Sequence, residues 1–348
     1  MPATTAMSQY ERQSSIGILS RALSQVQPGY DQVPADDRDH MVSYRGWVPL
    51  PLAPRVIAVV GPTAAGKSAL SIALAHELDG EVVNADSMQL YRGMDIGTAK
   101  LTAAEREGVP HHVLDIWDVT QTAAVAEYQK IARAAVDGIL ARGRIPLLVG
   151  GSGLYVRAVL EEFDFPGTDP AVRRRLDAEM SDVGPAALHT RLAGLDPAAA
   201  ARILPSNGRR IVRALEVIEL TGKPFTAALP SPSGYYDAVQ IGVDRETASL
   251  DRRIADRVEL MWASGLVDEV RGLDRIRDGR TASRALGYQQ ALAQIDGTMT
   301  EAEAKAETVR GTRRFVRRQR TWFRRDPRIT WLDGASPTLV ADALASLG

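Results

Sequence analysis

The chain has 348 residues, of which 45% are hydrophobic and 24% charged, and its formal net charge is −1. This composition is typical of a soluble globular protein with one large or two ordinary domains. The sequence contains no cysteine, which excludes disulfides, cysteine–zinc sites and thiol catalysis. It also lacks a long apolar run and a basic, then apolar, N-terminal signal. We therefore expect a cytoplasmic protein that does not associate with membranes.

Residues 1–54 differ in composition from the rest of the chain. They contain stretches such as "VQPGYDQVPADDRDH", with scattered polar residues and little hydrophobic periodicity. Such a composition is typical of a disordered arm. We predict an N-terminal arm here and assign it no function.

From Arg55 onwards, strand patterns alternate with helix patterns. "RVIAVV" and "GEVVNAD" predict strands, and "RIPLLVGGSGLY" predicts a strand, a glycine turn and the start of a helix. Between them, "AAVAEYQKIARAAVDGILARG" predicts a helix. Its apolar face comprises Val125, Tyr128, Ile131, Ala132, Ala135 and Ile139. This βαβ series predicts an α/β fold in which helices flank a parallel sheet like that of the P-loop NTPases, with residues 55–159 forming its first part.

Residues 160–205 predict a small helical insertion, because "DPAVRRRLDAEM", "PAALHTRLAGL" and "DPAAAARIL" are helical pieces with no strand between them. Residues 206–348 complete the core. Within them we predict helices at Arg209–Thr221 and Leu250–Leu273, and a long basic helix from about Thr300 to Phe323.

The segment "GPTAAGKS" fits the P-loop pattern G-x-x-x-x-G-K-[ST] and lies between a predicted strand and a predicted helix. Backbone N–H groups of such a loop hold linked phosphates, its lysine adds a charge, and its final hydroxyl contacts Mg²⁺. Lys67 and Ser68 take these roles here, and Ser68 is the predicted metal ligand. The predicted diphosphate- or nucleotide-binding residues are Gly61, Pro62, Thr63, Ala64, Ala65, Gly66, Lys67 and Ser68.

Asp86 ends the predicted strand beside the P-loop, where a carboxylate can bind Mg²⁺ or accept a proton from a substrate. An aspartate in this place is also a common helix cap or turn residue. The next strand, "IPLLVGGS", ends in glycines where P-loop ATPases often carry an acidic residue that helps to hold Mg²⁺. That difference is weak evidence against ATP hydrolysis.

Nine arginines and one acidic residue, Asp326, lie between Arg310 and Arg328. Six of the arginines share one side of a predicted helix: Arg310, Arg313, Arg314, Arg317, Arg320 and Arg324. We expect Phe315, Val316, Trp322 and Phe323 to anchor another side in the core. A solvated helix face usually mixes both signs of charge, so this stripe favours contact with a nucleic-acid backbone.

Seven segments together carry a family resemblance. In chain order they are "GPTAAGKS", "NADSMQLYRGMDIGTAK", "PHHVLDI", "GGSGLY", "RRIVRALEV", "ALGYQQAL" and "GTRRFVRRQRTWFR". They resemble the tRNA dimethylallyltransferases, also called tRNA isopentenyltransferases, from residue 55 to about residue 333. Ser152 stands where that family most often has threonine, a difference that keeps the hydroxyl.

The resemblance implies transfer of a dimethylallyl group from its diphosphate to N6 of adenosine at tRNA position 37, in tRNAs that read codons beginning with U. Diphosphate is then the leaving group, held by the P-loop with Mg²⁺, and Asp86 matches the general base. Arg245 resembles a further diphosphate-binding residue. ATP is expected to bind the same loop only weakly, because the loop recognises phosphates rather than the group attached to them.

The resemblance also implies contacts with the anticodon stem-loop of tRNA, by the helical insertion and by the basic helix. The residues that match are Asp86, Ser87, Met88, Gln89, Ser152, Arg173, Arg209, Arg210, Ile211, Val212 and Arg213. Arg313 and Arg317 represent the basic helix in this set. We expect the enzyme to act as a monomer.

Three other classes of protein share parts of this pattern. A P-loop small-molecule kinase also has an aspartate near the second strand, but it would bind ATP and would not need the arginine helix. An adenylate isopentenyltransferase would share the fold but act on free nucleotide. A nucleotide-dependent switch would need acidic and water-positioning residues that we do not find.

Overall fold

The computed structural model describes residues 55–163, 165–225 and 234–348. The predicted N-terminal arm therefore lies outside the described residues. Six parallel strands form one sheet in the order β3-β2-β4-β1-β5-β6. They are β1 Val56–Val60, β2 Gly80–Asn84, β3 His111–His112, β4 Ile145–Gly150, β5 Ala238–Asp244 and β6 Ile329–Asp333. The predicted α/β class is confirmed.

β1 is buried throughout because the sheet is covered on both faces. Side chains of a strand alternate between the two faces of the sheet, and those of β1 alternate between two hydrophobic clusters, one on each face. Val56, Ala58 and Val60 enter one cluster, whereas Ile57 and Val59 enter the other. The first cluster includes residues of α2 (Val125–Ala141) and the second includes residues of α1 (Lys67–Leu78).

The remaining helices follow β4 and β5. They are α3 Gly153–Leu160, α4 Pro170–Leu195, α5 Pro197–Arg202, α6 Gly208–Thr221, α7 Thr247–Ala263, α8 Leu266–Gly272, α9 Tyr288–Ile295, α10 Glu301–Phe323 and α11 Leu339–Ala345. The predicted helix at Leu250–Leu273 is in fact two helices. α7 ends at Ala263 with Ser264 as its C-cap, and Gly265, with φ 93°, is the N-cap from which α8 starts.

The helical unit extends further than predicted. α4, α5 and α6 share a hydrophobic cluster of their own, which includes Leu176, Leu192, Ile211 and Leu215. Residue 205 is therefore not its end, and α6 belongs to the unit rather than to the completion of the sheet. The chain leaves the core at Glu161 and returns beside it, because Glu161 and Gly234 form an antiparallel bridge.

α10 begins with a capping box, in which the Thr300 side chain and the Glu303 side chain each satisfy the backbone of the other. In the described part of the chain, no helix combines the length and the apolar character that crossing a bilayer requires.

Candidate active site and nucleic-acid interface

The P-loop lies between the end of β1 and the start of α1, at the carboxyl edge of the sheet. Gly61 has φ 131°, and a Cβ atom on it would lie 2.2 Å from the carbonyl oxygen of Val243 on β5. Only glycine fits there, since both the backbone angle and the space exclude a side chain. Lys67 is the first residue of α1, and its Nζ donates to the carbonyl oxygen of Pro62 at 2.8 Å. Ser68, the next residue of α1, is exposed.

Three arginines converge on the P-loop from the segment after β5 and from α7. Arg245 Nε donates to Ala65 O at 2.8 Å, and Arg253 Nε donates to Ala64 O at 2.9 Å. Arg257 reaches the Thr63 hydroxyl at 3.2 Å. The loop is therefore surrounded by guanidinium groups bound to its carbonyl and hydroxyl oxygens. Its backbone N–H groups other than that of Thr63, which donates to Gln319, remain as ligands for an anion.

The electrostatics of this cluster indicate an anion site. Burial lowers the pKa of Lys67 to about 8, with Asp86 opposing the shift and Arg257 adding to it. Burial and the charge of Arg253 also lower the pKa values of Arg245 and Arg257. The charged forms of Lys67, Arg245 and Arg257 are thus less stable than they would be in water. A bound anion would stabilise them.

Asp86 follows β2 by two residues and is held by its own segment. Asn84 accepts from the Asp86 N–H through Oδ1 at 2.9 Å and donates from Nδ2 to the Asp86 carbonyl at 3.0 Å. One carboxylate oxygen, Oδ1, accepts from the Met88 N–H at 2.9 Å. Among the described residues the other oxygen, Oδ2, has no hydrogen-bond partner, so it is available to a substrate.

An aromatic wall lies beside Asp86. The rings of Tyr128 and Tyr155 are 4.6 Å apart, and both side chains are buried. The Tyr128 hydroxyl donates to Asn84 O at 2.9 Å, directly behind the Asp86 segment. Burial, together with the negative charge of Asp86, raises the pKa of both tyrosines. Both phenols stay neutral and form a buried aromatic pair that supports the Asp86 segment.

The turn after β4 joins the same site. The Ser152 hydroxyl accepts from the Ser87 N–H at 3.2 Å and donates to the Ser87 hydroxyl at 3.3 Å. Ser87, Met88 and Gln89 are partly exposed. Gln89 Nε2 donates to the carbonyl oxygen of Thr98 at 3.1 Å. The structure thus brings Ser87 of the segment 86–89 into contact with Ser152.

The arginines of α10 fall into two groups. Arg320 is bound to Asp244 at 2.8 Å in a largely buried pair, and Arg313 lies 3.5 Å from Asp251 of α7 in a partly exposed one, so both have acidic partners. Arg317 is exposed. A groove of about 410 Å³ is lined by Arg314, Arg317, Arg318, Thr321, Trp322 and Arg325. The prediction that Trp322 anchors the helix in the core is wrong, since this residue is 36% exposed at the edge of that groove.

The predicted RNA-contacting residues of the helical unit have different environments. Arg173 and Arg213 both bind the buried carboxylate of Glu216, at 2.6 and 2.7 Å. Arg209 and Arg210 are exposed at the start of α6. Ile211 and Val212 are buried in the cluster of the unit, so only their backbone is left for the predicted contact with RNA.

Sequence reasoning missed Arg253, Arg257 and Gln319. The two arginines are four residues apart on α7, a spacing that places them on one face of a helix following Arg245. That spacing could have identified them. Gln319 lies within the arginine-rich segment, and nothing in its local sequence distinguishes it.

A P-loop beside the central strand, surrounded by arginines and followed by a carboxylate after the next strand, defines an α/β protein of the P-loop type. The sequence profile of the IPP transferase family matches residues 89–326. The chain belongs to that family.

Two curated relatives are similar over most of their length. The tRNA dimethylallyltransferase of Salinispora arenicola is 75% identical over 294 residues, which are 84% of this chain and 86% of that protein. The tRNA dimethylallyltransferase of Streptomyces avermitilis is 68% identical over 291 residues, 83% of this chain and 93% of that protein.

Solved structures agree with the fold. The tRNA isopentenylpyrophosphate transferase of Bacillus halodurans has a TM-score of 0.62 at 42% identity, over 84% of this chain and 97% of that one. A eukaryotic dimethylallyltransferase, in a structure described as acting on tRNA, has a TM-score of 0.72 at 26% identity, over 83% of this chain and 77% of that one.

Proposed function

We propose that this chain transfers a dimethylallyl group from dimethylallyl diphosphate to N6 of adenosine at tRNA position 37, in tRNAs that read codons beginning with U, and releases diphosphate. One observation carries the proposal. Lys67 and three arginines converge on the P-loop. Near them lies Asp86, whose Oδ2 has no hydrogen-bond partner among the described residues. This arrangement suits a diphosphate that leaves while a nearby amine loses a proton.

The chemistry divides between the two sides of the site. As the bond between the allylic carbon and the diphosphate oxygen breaks, the leaving group gains negative charge, which the P-loop N–H groups, Lys67 and the arginines stabilise. The adenine N6 forms the new bond to the allylic carbon, and its proton passes to Asp86. The buried pair of Tyr128 and Tyr155 supports the Asp86 segment from behind and keeps that side of the carboxylate dry.

The donor set at the start of α1 also fits Mg²⁺. The exposed Ser68 hydroxyl adjoins the proposed diphosphate position, and Mg²⁺ in phosphate sites commonly keeps several waters and takes phosphate oxygens as ligands. The described residues contain no cluster of three or more acidic, histidine or cysteine side chains that could hold an ion without the diphosphate. When bound, Mg²⁺ would offset part of the negative charge that develops on the leaving diphosphate.

The RNA would approach from the exposed side of α10 and from the helical unit. The arginines that line the groove, with Arg317 and Arg318 at its exposed edge, offer positive charge to phosphates. On the helical unit, the exposed Arg209 and Arg210 would supply further positive charge. The target adenine must leave the stack of the anticodon loop to reach Asp86, which enzymes acting on a base generally require. We place this activity in the cytoplasm and in a monomer.

The test is a transfer assay with unmodified tRNA and labelled dimethylallyl diphosphate in the presence of Mg²⁺. We expect label in the RNA and free diphosphate as the second product. A parallel reaction with ATP and small alcohols should release no ADP. ADP release without prenyl transfer would instead identify a P-loop kinase, and prenylation of free AMP but not of tRNA would identify an adenylate isopentenyltransferase.

A further inference from the structure

The last two turns of α10 have two opposite faces. The outer face carries the basic groove of Arg314, Arg317, Arg318, Thr321, Trp322 and Arg325. The inner face carries Gln319, which is only 5% exposed and lies against the phosphate-binding side of the site. One stretch of helix therefore contacts both the proposed RNA surface and the proposed donor site.

Gln319 links two loops through both ends of its amide. Its Oε1 accepts from the Thr63 N–H of the P-loop at 3.0 Å, and its Nε2 donates to the carbonyl oxygen of Gly151 at 2.9 Å. The two bonds fix which way the amide points. The fit is close, because a Cβ atom on Gly151 would lie 2.3 Å from Nε2.

The neighbours of Gln319 reinforce this contact. Arg320 binds Asp244 and the carbonyl oxygen of Arg245, the residue that holds Ala65 of the P-loop. Trp322 packs so closely on the turn after β4 that a Cβ atom on Gly153 would lie 2.0 Å from its Nε1. A single turn of α10 thus touches the P-loop, the turn after β4 and the segment after β5.

We propose that Gln319 is a positioning residue that couples RNA binding on the outer face of α10 to diphosphate binding in the P-loop. The inference rests on the proposed function, since it takes RNA as the ligand of the groove. RNA bound to that face restricts the turn that carries Gln319, and Gln319 passes the restriction to Thr63 and Gly151. The coupling is reciprocal, so diphosphate tightens RNA binding by the same factor.

The experiment measures the Kd of inorganic diphosphate with Mg²⁺ for the full chain, with and without a saturating anticodon stem-loop RNA. Diphosphate is the probe because it binds without reacting. We expect the RNA to tighten diphosphate binding by about 5–150-fold, the usual range for coupled sites. In Gln319→Met, which keeps the size of the side chain and removes both hydrogen bonds, the ratio of the two Kd values should fall to one.

Gln129→Met is the matched control. Gln129 is also a buried glutamine with two hydrogen bonds to backbone, from its Nε2 to Ala158 O and Phe163 O, but it contacts neither loop. Its variant should lose comparable stability and keep the coupling. Gly151→Ala displaces Gln319 from the other side of the contact and should abolish the coupling even if Gln319→Met does not fold.

A wild-type protein that prenylates RNA but shows no coupling would overturn this inference and leave the proposed function standing. The same holds for a folded Gln319→Met or Gly151→Ala protein that keeps the wild-type ratio. A wild-type protein that neither binds the RNA nor transfers the prenyl group would overturn both.

Discussion

Asp86 has one carboxylate oxygen committed to the Met88 N–H and the other free of partners among the described residues. Asp86→Asn keeps the committed oxygen and the shape of the side chain but removes the base. Turnover should therefore fall by about 10²–10⁴-fold, the usual contribution of a general base. Single-turnover transfer at neutral pH measures this, with diphosphate binding measured alongside to show that the donor site is intact.

Asp274→Asn is the control for that variant, since Asp274 is an exposed aspartate that we place in no site. It should have wild-type turnover. Near-normal turnover in Asp86→Asn would remove Asp86 from the mechanism and leave proton transfer to another group.

Lys67 makes diphosphate binding depend on pH. Burial lowers its pKa to about 8, so in the free protein it is charged below that pH and neutral above it. A bound diphosphate favours the charged form, and binding should therefore weaken as the pH rises through 8. Calorimetry near that pH, in buffers of different ionisation enthalpy, should show proton uptake on binding. In Lys67→Met the uptake should vanish; an unchanged uptake would assign the proton to another group.

α10 makes a prediction at the scale of an element, because its arginines are divided between two faces. Arg317→Glu with Arg318→Glu changes only exposed residues of the groove. RNA binding should weaken, and the slope of log K against log salt should drop by about 0.7–0.9 for each phosphate that the helix no longer binds. Fluorescence anisotropy with a labelled stem-loop, over a salt series, measures both quantities.

The control is the double variant Arg271→Glu with Arg275→Glu, which reverses the same number of charges outside the groove. It should leave the slope unchanged. Equal slopes for the two double variants would mean that the groove is an ordinary solvated surface. Arg320 is unsuitable for such a test because it binds Asp244, so its replacement would also disturb the core.

α6 carries two glutamates whose substitution should reduce the stability of the fold by very different amounts. Glu216 is fully buried and binds Thr168, Arg173 and Arg213. Removing one partner of a buried ion pair typically costs about 3–5 kcal/mol, and the lower end applies here because both arginines are partly exposed. Glu219 forms only a surface pair with Arg175, for which about 1 kcal/mol or less is expected. Urea unfolding of Glu216→Gln and Glu219→Gln should separate them; equal reductions in stability would contradict the role of burial.

Local patterns predicted some elements well and others not at all. β1, β2, β4 and α2 have long or regular apolar patterns, and the structure confirms them. β5 and β6 were missed because "AVQIGVD" contains polar residues and a glycine, whereas "ITWLD" is a half-exposed edge strand. Gly242 is needed for the packing of Ile329 and Trp331, 2.6 Å from where its Cβ would lie. Such packing between distant segments leaves no local periodicity.

The candidate site shows the same division. The P-loop, Asp86 and Ser152 follow strand ends, which parallel-sheet topology places along one edge, so their meeting could be predicted. Gln319 reaches that edge from a helix far along the chain, and its role depends on how that helix packs. Burial of Ile211 and Val212 likewise depends on the cluster formed by the helical unit.

At the scale of the whole molecule, two buried carboxylates contribute to the loss of stability in acid. Burial raises the pKa of Glu81, but hydrogen bonds from His112, Arg142 and Arg144 outweigh it, so the pKa lies below the ordinary 4.5. In Glu216, bonds from Thr168 and Arg213 and the charge of Arg173 likewise outweigh burial and lower the pKa. The unfolded chain therefore takes up protons first as the pH falls.

Both carboxylates then stabilise the fold fully above their ordinary pKa of 4.5, and this stabilisation is lost as the pH falls below that value. The melting temperature should be nearly constant just above about pH 5 and should drop below pH 4.5. In a variant with Glu81→Gln and Glu216→Gln, the melting temperature should be lower at neutral pH and should depend less on acid. A double variant with the wild-type acid response would assign the transition to other groups.

The place where the chain leaves and re-enters the sheet core affects how the sequence of the helical unit can diverge. Glu161 and Gly234 lie side by side, and the Tyr235 N–H donates to Leu160 O at 2.8 Å. The two ends of the segment between these residues thus lie side by side, and Arg280 of the core also pairs with Asp177 of α4. Because the two ends already meet, lengthening or replacing the attached segment costs little loop-closure entropy. The helical unit can therefore diverge as a module, while the strands that carry the P-loop and Asp86 keep their register.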